Sequence, residues 1–150
     1  MFKKDIFYVA VQFLLFALYF IDWGLLALDL PSWVTYPSLV LGIVGILIII
    51  WGILSMNDSL SPFPSPKNDS NLVSTGIYGY VRHPIYSGIL LSLVAFGLYT
   101  FSLFKILIVL LLALVLYFKS SLEEKLLLQR YEEYSAYKKK TGRFFPKIRI

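Results

Sequence analysis

The chain has no cysteine and a single histidine, His83, in 150 residues. The first absence removes disulfides, thiolate zinc sites, iron–sulfur clusters and cysteine nucleophiles together; the second leaves no room for a multi-histidine metal centre. Charge is scarce as well, at 15% of residues, against roughly 25% in an average soluble protein. Apolar residues fill the space. They make up 58% of the chain, with 17% aromatic, and the blocks 6–28, 34–55, 85–98 and 100–118 are uncharged or nearly so. About 20 apolar residues cross the hydrocarbon core of a bilayer. This pattern excludes a soluble nucleotide-binding fold. It predicts an all-α integral membrane protein with about four transmembrane helices, residues 1–150 forming one domain.

In the first block only Gln12 and Asp22 are strongly polar, and Asp22 beside Trp23 reads as a solvated pair at headgroup depth. The second block places Pro37 in its first turn, where a missing N–H does no harm. It also places Gly42, Gly45 and Gly52 where small residues let a neighbouring helix approach. Residues 56–80 break the apolar pattern with Pro62, Pro64 and Pro66, then KNDSN and LVSTG, and predict a long polar loop of the kind that binds or catalyses. The third and fourth blocks make a tight hairpin, with Lys105 near the turn reaching out to headgroups along its own stem.

The net charge is +5, and nine of the fourteen basic residues lie between Lys119 and Arg149. Such a tail reads as a solvated cytosolic face against anionic headgroups, ahead of nucleic-acid binding. Lys3 and Lys4 precede the first block and no basic residue separates it from the second. The bias predicts both termini in the cytosol, with the 56–82 loop and the segment after Lys119 on that same side. The first block runs past the length of a signal core and lacks a small-residue cleavage site, so no signal peptide is expected.

The densest chemistry is LVSTGIYGYVRHPIYSG, Leu72 to Gly88. Pro84 suits the first position of a helix and puts His83 at its N-cap, where unpaired amides and the dipole favour an anion. Arg82 adds a full charge, and His83, Tyr86 and Ser87 fall within one turn. The same residues also read structurally, as a snorkelling arginine and interfacial aromatics. A second cluster, Lys119, Glu123 and Glu124, opens a C-terminal amphipathic helix carrying Leu126, Leu127, Tyr131, Tyr134 and Tyr137. Lys119 and Glu123 are spaced for a solvated salt bridge; the other reading turns one carboxylate toward the loop.

Taken together, G-x-Y-x-x-x-R-H-P-x-Y-x-G, a helical hairpin, E-E, and Y-x-x-Y ending in R-F-x-P resemble the isoprenylcysteine carboxyl methyltransferase family over residues 60–146. The phospholipid N-methyltransferases are related to it. The resemblance implies a multi-span enzyme holding S-adenosylmethionine at the cytosolic interface and methylating a lipophilic or small acceptor that arrives from the membrane lipids. It also implies that Leu72, Val73, Tyr78, His83, Pro84, Ile85, Tyr86 and Glu123 line the cofactor site. The basic residue one turn before that glutamate, arginine in the family and Lys119 here, is implied in substrate handling, with Arg82 as the second cation. On this likeness the cofactor's sulfonium suits the faces of Tyr78 or Tyr86. The R-H-x-x-Y element is also shared with membrane sterol reductases that hold NADPH, whose chains are far longer. A small non-enzymatic packing protein of the bilayer is the remaining alternative.

Overall fold

A computed structural model of the chain describes residues 3–21, 24, 26–56, 61–64 and 71–147. Among them every regular element is helical: α1 (Lys3–Phe20), α2 (Thr35–Met56), α3 (Pro84–Tyr99), α4 (Leu103–Arg130) and α5 (Tyr134–Lys140), with single 3-10 turns at Ser32–Val34 and Gly76–Gly79. Among the described residues, two stretches are long and apolar enough to cross a membrane, Ser32–Met56 and Leu103–Arg130. The helices pack in the order α2, α3, α4, α1.

Small residues set the α2–α3 contact. A Cβ on Gly45 would lie 2.8 Å from the Ser92 amide nitrogen and 2.9 Å from the Gly88 carbonyl oxygen, so the two backbones touch where side chains would stand. The opposite face of α2, including Leu39, Val40, Ile43, Leu47, Ile50 and Leu54, is exposed. Aliphatic side chains with nothing of the protein against them suit a lipid environment. On the other side, Leu15 and Tyr19 of α1 meet Ile108, Val109, Leu112 and Leu116 of α4 in the buried core. The Tyr19 hydroxyl donates to the Leu93 carbonyl at 2.6 Å, tying α1 to α3 as well.

Three expectations change. The first helix ends at Phe20 rather than running to residue 28; beyond it the backbone pairs with the hairpin, Leu103 N donating to Leu26 O and Ala27 bridging Ser102. Asp22 and Trp23 lie outside the described residues, as do Pro66 and most of KNDSN. Lys105 turns inward instead of reaching headgroups: it is buried, its Nζ 3.1 Å from Thr100 Oγ1 and 4.8 Å from the centre of the Phe96 ring. The ammonium donates to the turn hydroxyl of Thr100, and an aromatic face compensates part of the lost hydration. Finally, no separate amphipathic helix begins near Lys119. α4 runs unbroken to Arg130, and the chain bends at residues 131–133 into the seven-residue α5.

The bend lets the tail fold back onto the start of α3. Val81 bridges Gly142, Arg82 N donates to Gly142 O at 2.9 Å, His83 N donates to Arg143 O at 3.1 Å, and Ser87 Oγ donates to Phe144 O at 2.6 Å. Gly142 is required by space, since a Cβ there would fall on the Phe145 carbonyl.

Candidate active site

Pro84 opens α3 and leaves His83 at the N-cap with no side-chain cap of its own, which frees the imidazole to reach α4. Its Nδ1 lies 3.3 Å from Glu123 Oε2 and its Nε2 3.4 Å from Glu124 Oε1. The ring stacks on Tyr86, centroids 5.4 Å apart and planes within 3°. The Tyr86 hydroxyl in turn donates to Glu123 Oε1. Burial works against the imidazolium, but hydrogen bonds and charge from both glutamates outweigh it and raise the His83 pKa above 6.5.

Adjacent glutamates on a helix point to different neighbours, and here they divide the work. Glu124 is 1% exposed and meets four positive groups: Arg82 Nε at 2.8 Å, Lys138 Nζ at 2.8 Å, Arg143 Nη2 at 3.3 Å and the His83 ring. Arg82 also donates through Nη1 to the carbonyls of Lys138 and Thr141. Its guanidinium is therefore largely committed to holding the tail. Glu123 faces the other way, into a cavity of about 330 Å³, within the usual range for a ligand site.

That cavity is lined by α1 (Gln12), the end of α2 (Met56), the loop (Phe63, Pro64, Asn71, Leu72, Val73), Tyr78, the start of α3 (Arg82, His83, Ile85, Tyr86, Ile89) and α4 (Glu123, Leu127) with Tyr131. Of the residues singled out from the sequence, Leu72, Val73, Tyr78, Arg82, His83, Ile85, Tyr86 and Glu123 meet here. Pro84 does not line it; that ring is fully buried, and a Cβ on Gly52 of α2 would lie 3.6 Å from it. Lys119 does not line it either. It is 1% exposed behind Tyr86, with Nζ 2.8 Å from Gln12 Oε1 and 5.2 Å from the Tyr86 ring centre. The solvated Lys119–Glu123 bridge suggested by spacing is replaced by this buried contact across α1 and α4.

Two further readings are adjusted. The amides of Arg82 and His83 are taken by tail carbonyls and Pro84 has none, so any anion at this helix end meets the first-turn amides of Ile85 and Tyr86. One ring, Tyr86, already carries the Lys119 ammonium and the His83 stack, which leaves Phe63, Tyr78 and Tyr131 as the other aromatic residues of the lining. Burial, with charge from Tyr137 and Glu123, raises the Tyr78 pKa and keeps it a phenol; burial likewise pushes Tyr137 up to about 12. The Tyr137 hydroxyl donates to the Tyr78 carbonyl at 2.7 Å, so the tail also braces the backbone at Tyr78. Sequence reasoning missed Gln12, Phe63, Asn71 and Tyr131 at the cavity and Lys138 and Arg143 at Glu124. Only Gln12 carried a signal, as a polar residue in an apolar block.

The phospholipid methyltransferase family profile matches residues 33–134. The chain belongs to that family, and its motif likeness to the isoprenylcysteine carboxyl methyltransferases falls within it. Cobalt-zinc-cadmium resistance protein CzcN of Cupriavidus metallidurans is 30% identical over 121 residues, 79% of this chain and 54% of the relative. Nickel-cobalt-cadmium resistance protein NccN of Alcaligenes xylosoxydans xylosoxydans is 27% identical over 121 residues with the same coverage. The chain spans about half the length of these curated relatives. Family and apolar helices together make it a membrane protein.

Proposed function

We propose that this chain is an S-adenosylmethionine-dependent methyltransferase of the isoprenylcysteine carboxyl methyltransferase type, acting on a lipophilic or small acceptor at the cytosolic membrane interface. The observation that carries the reading is the junction of His83, Tyr86 and Glu123, which closes one wall of the cavity between α3 and α4. The donor set fits the cofactor. The carboxylate of Glu123 would hold its amino group or ribose, the Tyr78 face its sulfonium, and Leu72, Val73, Ile85 and Leu127 its apolar surface. The paired His83 and the first-turn amides of α3 would face its carboxylate.

When bound, the cofactor supplies a methyl group: the acceptor's lone pair forms the new bond to carbon while the sulfur–carbon pair leaves with sulfur. For the protein, what remains is to orient the reactants and exclude water. Among the described residues no group of His, Asp and Glu is arranged to hold a metal ion, and the reading needs none. Residues 1–150 work as one unit on this view. α1 and α3, 18 and 16 residues, rise about 27 and 24 Å at 1.5 Å per residue, short of a hydrocarbon core of about 30 Å; what supports four crossings with both termini in the cytosol is the four apolar blocks and the bias of Lys and Arg. Phospholipid amines are a second acceptor class, favoured by the description of the matched family.

Titration calorimetry of the purified protein with S-adenosylmethionine, S-adenosylhomocysteine and NADPH tests the cofactor. Saturable binding of the first two alone is expected; binding of NADPH alone would replace the reading with a reductase. Incubation with native lipid extract and methyl-labelled cofactor, followed by mass spectrometry, identifies the compound class that gains the label.

A further inference from the structure

A second recess, an open groove that shares no lining residue with the cavity of the candidate site, lies between the 3-10 turn Gly76–Gly79 and the returning tail. The turn contributes Thr75, Gly76 and Tyr80 to it, and the tail contributes Lys140, Pro146 and Lys147. The two segments are joined where Gly142 N donates to Tyr80 O at 3.2 Å. Lys147 Nζ donates to the Lys139 carbonyl at 2.9 Å, which holds that side chain against the end of α5 and leaves two of its N–H groups for another acceptor.

The tail is one-sided in charge. Residues 134–150 contain six basic residues and no Asp or Glu. Lys138 and Arg143 are taken up by Glu124. Lys139, Lys140 and Lys147 are exposed, and among the described residues none of the three meets a carboxylate and no acidic residue lines the groove. Two cations at one recess with no counter-charge repel each other and attract an anion.

Gly76 sets the depth of the groove. Its φ of +60° suits glycine, and a Cβ there would lie 3.4 Å from Ser55 Oγ and 3.9 Å from Trp51 Nε1. Trp51 is 53% exposed, on the face of α2 left to lipid with Leu47, Ile50 and Leu54. A tryptophan five residues before the end of its helix, with its indole N–H beside a polar turn, marks the headgroup level of a bilayer. On the tail, Phe145 precedes Pro146 and is 80% exposed, a placement that suits the boundary of the acyl chains and not water. A soluble anion gains nothing from these apolar neighbours, whereas a phospholipid uses both them and the cations.

We propose that this groove binds an anionic phospholipid: Lys140 and Lys147 hold the phosphate, Thr75 and Tyr80 supply hydroxyls from the turn, and the acyl chains run along the exposed face of α2. The proposal is independent of the cofactor reading. Native mass spectrometry of the full chain in a neutral detergent, with dioleoylphosphatidylglycerol or dioleoylphosphatidylcholine added, tests it. The wild type holds a first phosphatidylglycerol about tenfold more tightly than phosphatidylcholine, the scale of two exposed lysines acting on one charge. The double variant Lys140→Gln, Lys147→Gln loses that preference with its circular dichroism unchanged. Lys125→Gln, Lys139→Gln, which removes the same charge from exposed positions outside the groove, keeps it. Equal retention of the two lipids by the wild type, or an unchanged preference in the Lys140 and Lys147 variant, overturns the proposal. So does an equal loss in both double variants, which would reduce the attraction to net charge. Displacement of the lipid by an equal concentration of glycerophosphoglycerol also overturns it, since the groove would then be a site for a soluble anion.

Discussion

His83 Nδ1 lies 3.3 Å from Glu123 Oε2, joining the N-cap of α3 to the second half of α4 in the wall of the cavity. The fold does not rest on this pair alone, because the tail is also anchored through Arg82 and Glu124 and the core lies nearer the hairpin. His83→Ala and Glu123→Gln are each expected to weaken S-adenosylhomocysteine binding about tenfold, the scale of one charge-assisted hydrogen bond, with circular dichroism unchanged. Calorimetry giving wild-type affinity in both variants would remove these residues from the site.

The His83 pKa is raised above 6.5 in the folded protein because the pull of Glu123 and Glu124 exceeds the cost of burial. A raised folded-state value means stability that is fully present below the unfolded pKa and declines as pH climbs through the folded one. Melting temperature in detergent is expected to fall as pH rises from about 6 toward 9, and His83→Gln should flatten that fall. A wild-type profile that rises over this window would contradict the charge assignment.

Glu124 gathers Arg82, Lys138 and Arg143 at one buried carboxylate, and through them the tail. Glu124→Gln keeps the shape but leaves a buried guanidinium without its counter-charge, a loss of about 3 kcal/mol by the precedent of broken buried pairs. The tail should loosen first. Limited trypsin digestion is expected to cut after Lys138 to Arg143 much faster in the variant; equal cleavage rates would show that the backbone bonds to residues 80–83 hold the tail alone.

Much of this was legible in local pattern. Apolar runs, Pro84, and the glycines of the second block foretold α2, α3, the hairpin and a close helix approach on α2, though not that α3 is the partner, since each depends on neighbours in sequence or on residue size. What could not be read was tertiary choice. Charged residues at i, i+4 spacing on a helix look solvated, yet Lys119 turns to Gln12 and Lys105 to Phe96 because those partners come from other elements. Of two adjacent glutamates, nothing in the string E-E says which meets the tail and which the cavity. The break at residues 131–133 was hidden because Tyr131, Tyr134 and Tyr137 keep helical spacing across it. Phe63 and Asn71 are set by how the loop folds over the helices, which carries no periodicity at all.

The two glycines Gly42 and Gly45 share α2 but not their surroundings, which makes them a matched pair. A Cβ on Gly42 would lie 3.6 Å from Ala95 Cβ, an ordinary contact. On Gly45 it would lie 2.8 and 2.9 Å from backbone atoms of Ser92 and Gly88, which cannot rotate away. Gly45→Ala must therefore push α2 and α3 apart, at a cost of about 2 kcal/mol for an overpacked interface, while Gly42→Ala should be near neutral. Because Ile85, Tyr86 and Ile89 of α3 line the cavity, the Gly45 variant is also expected to lose cofactor affinity without any change at the site itself. Melting curves and calorimetry on the pair decide it: equal behaviour of the two alanines would mean that the α2–α3 contact is looser than these distances imply.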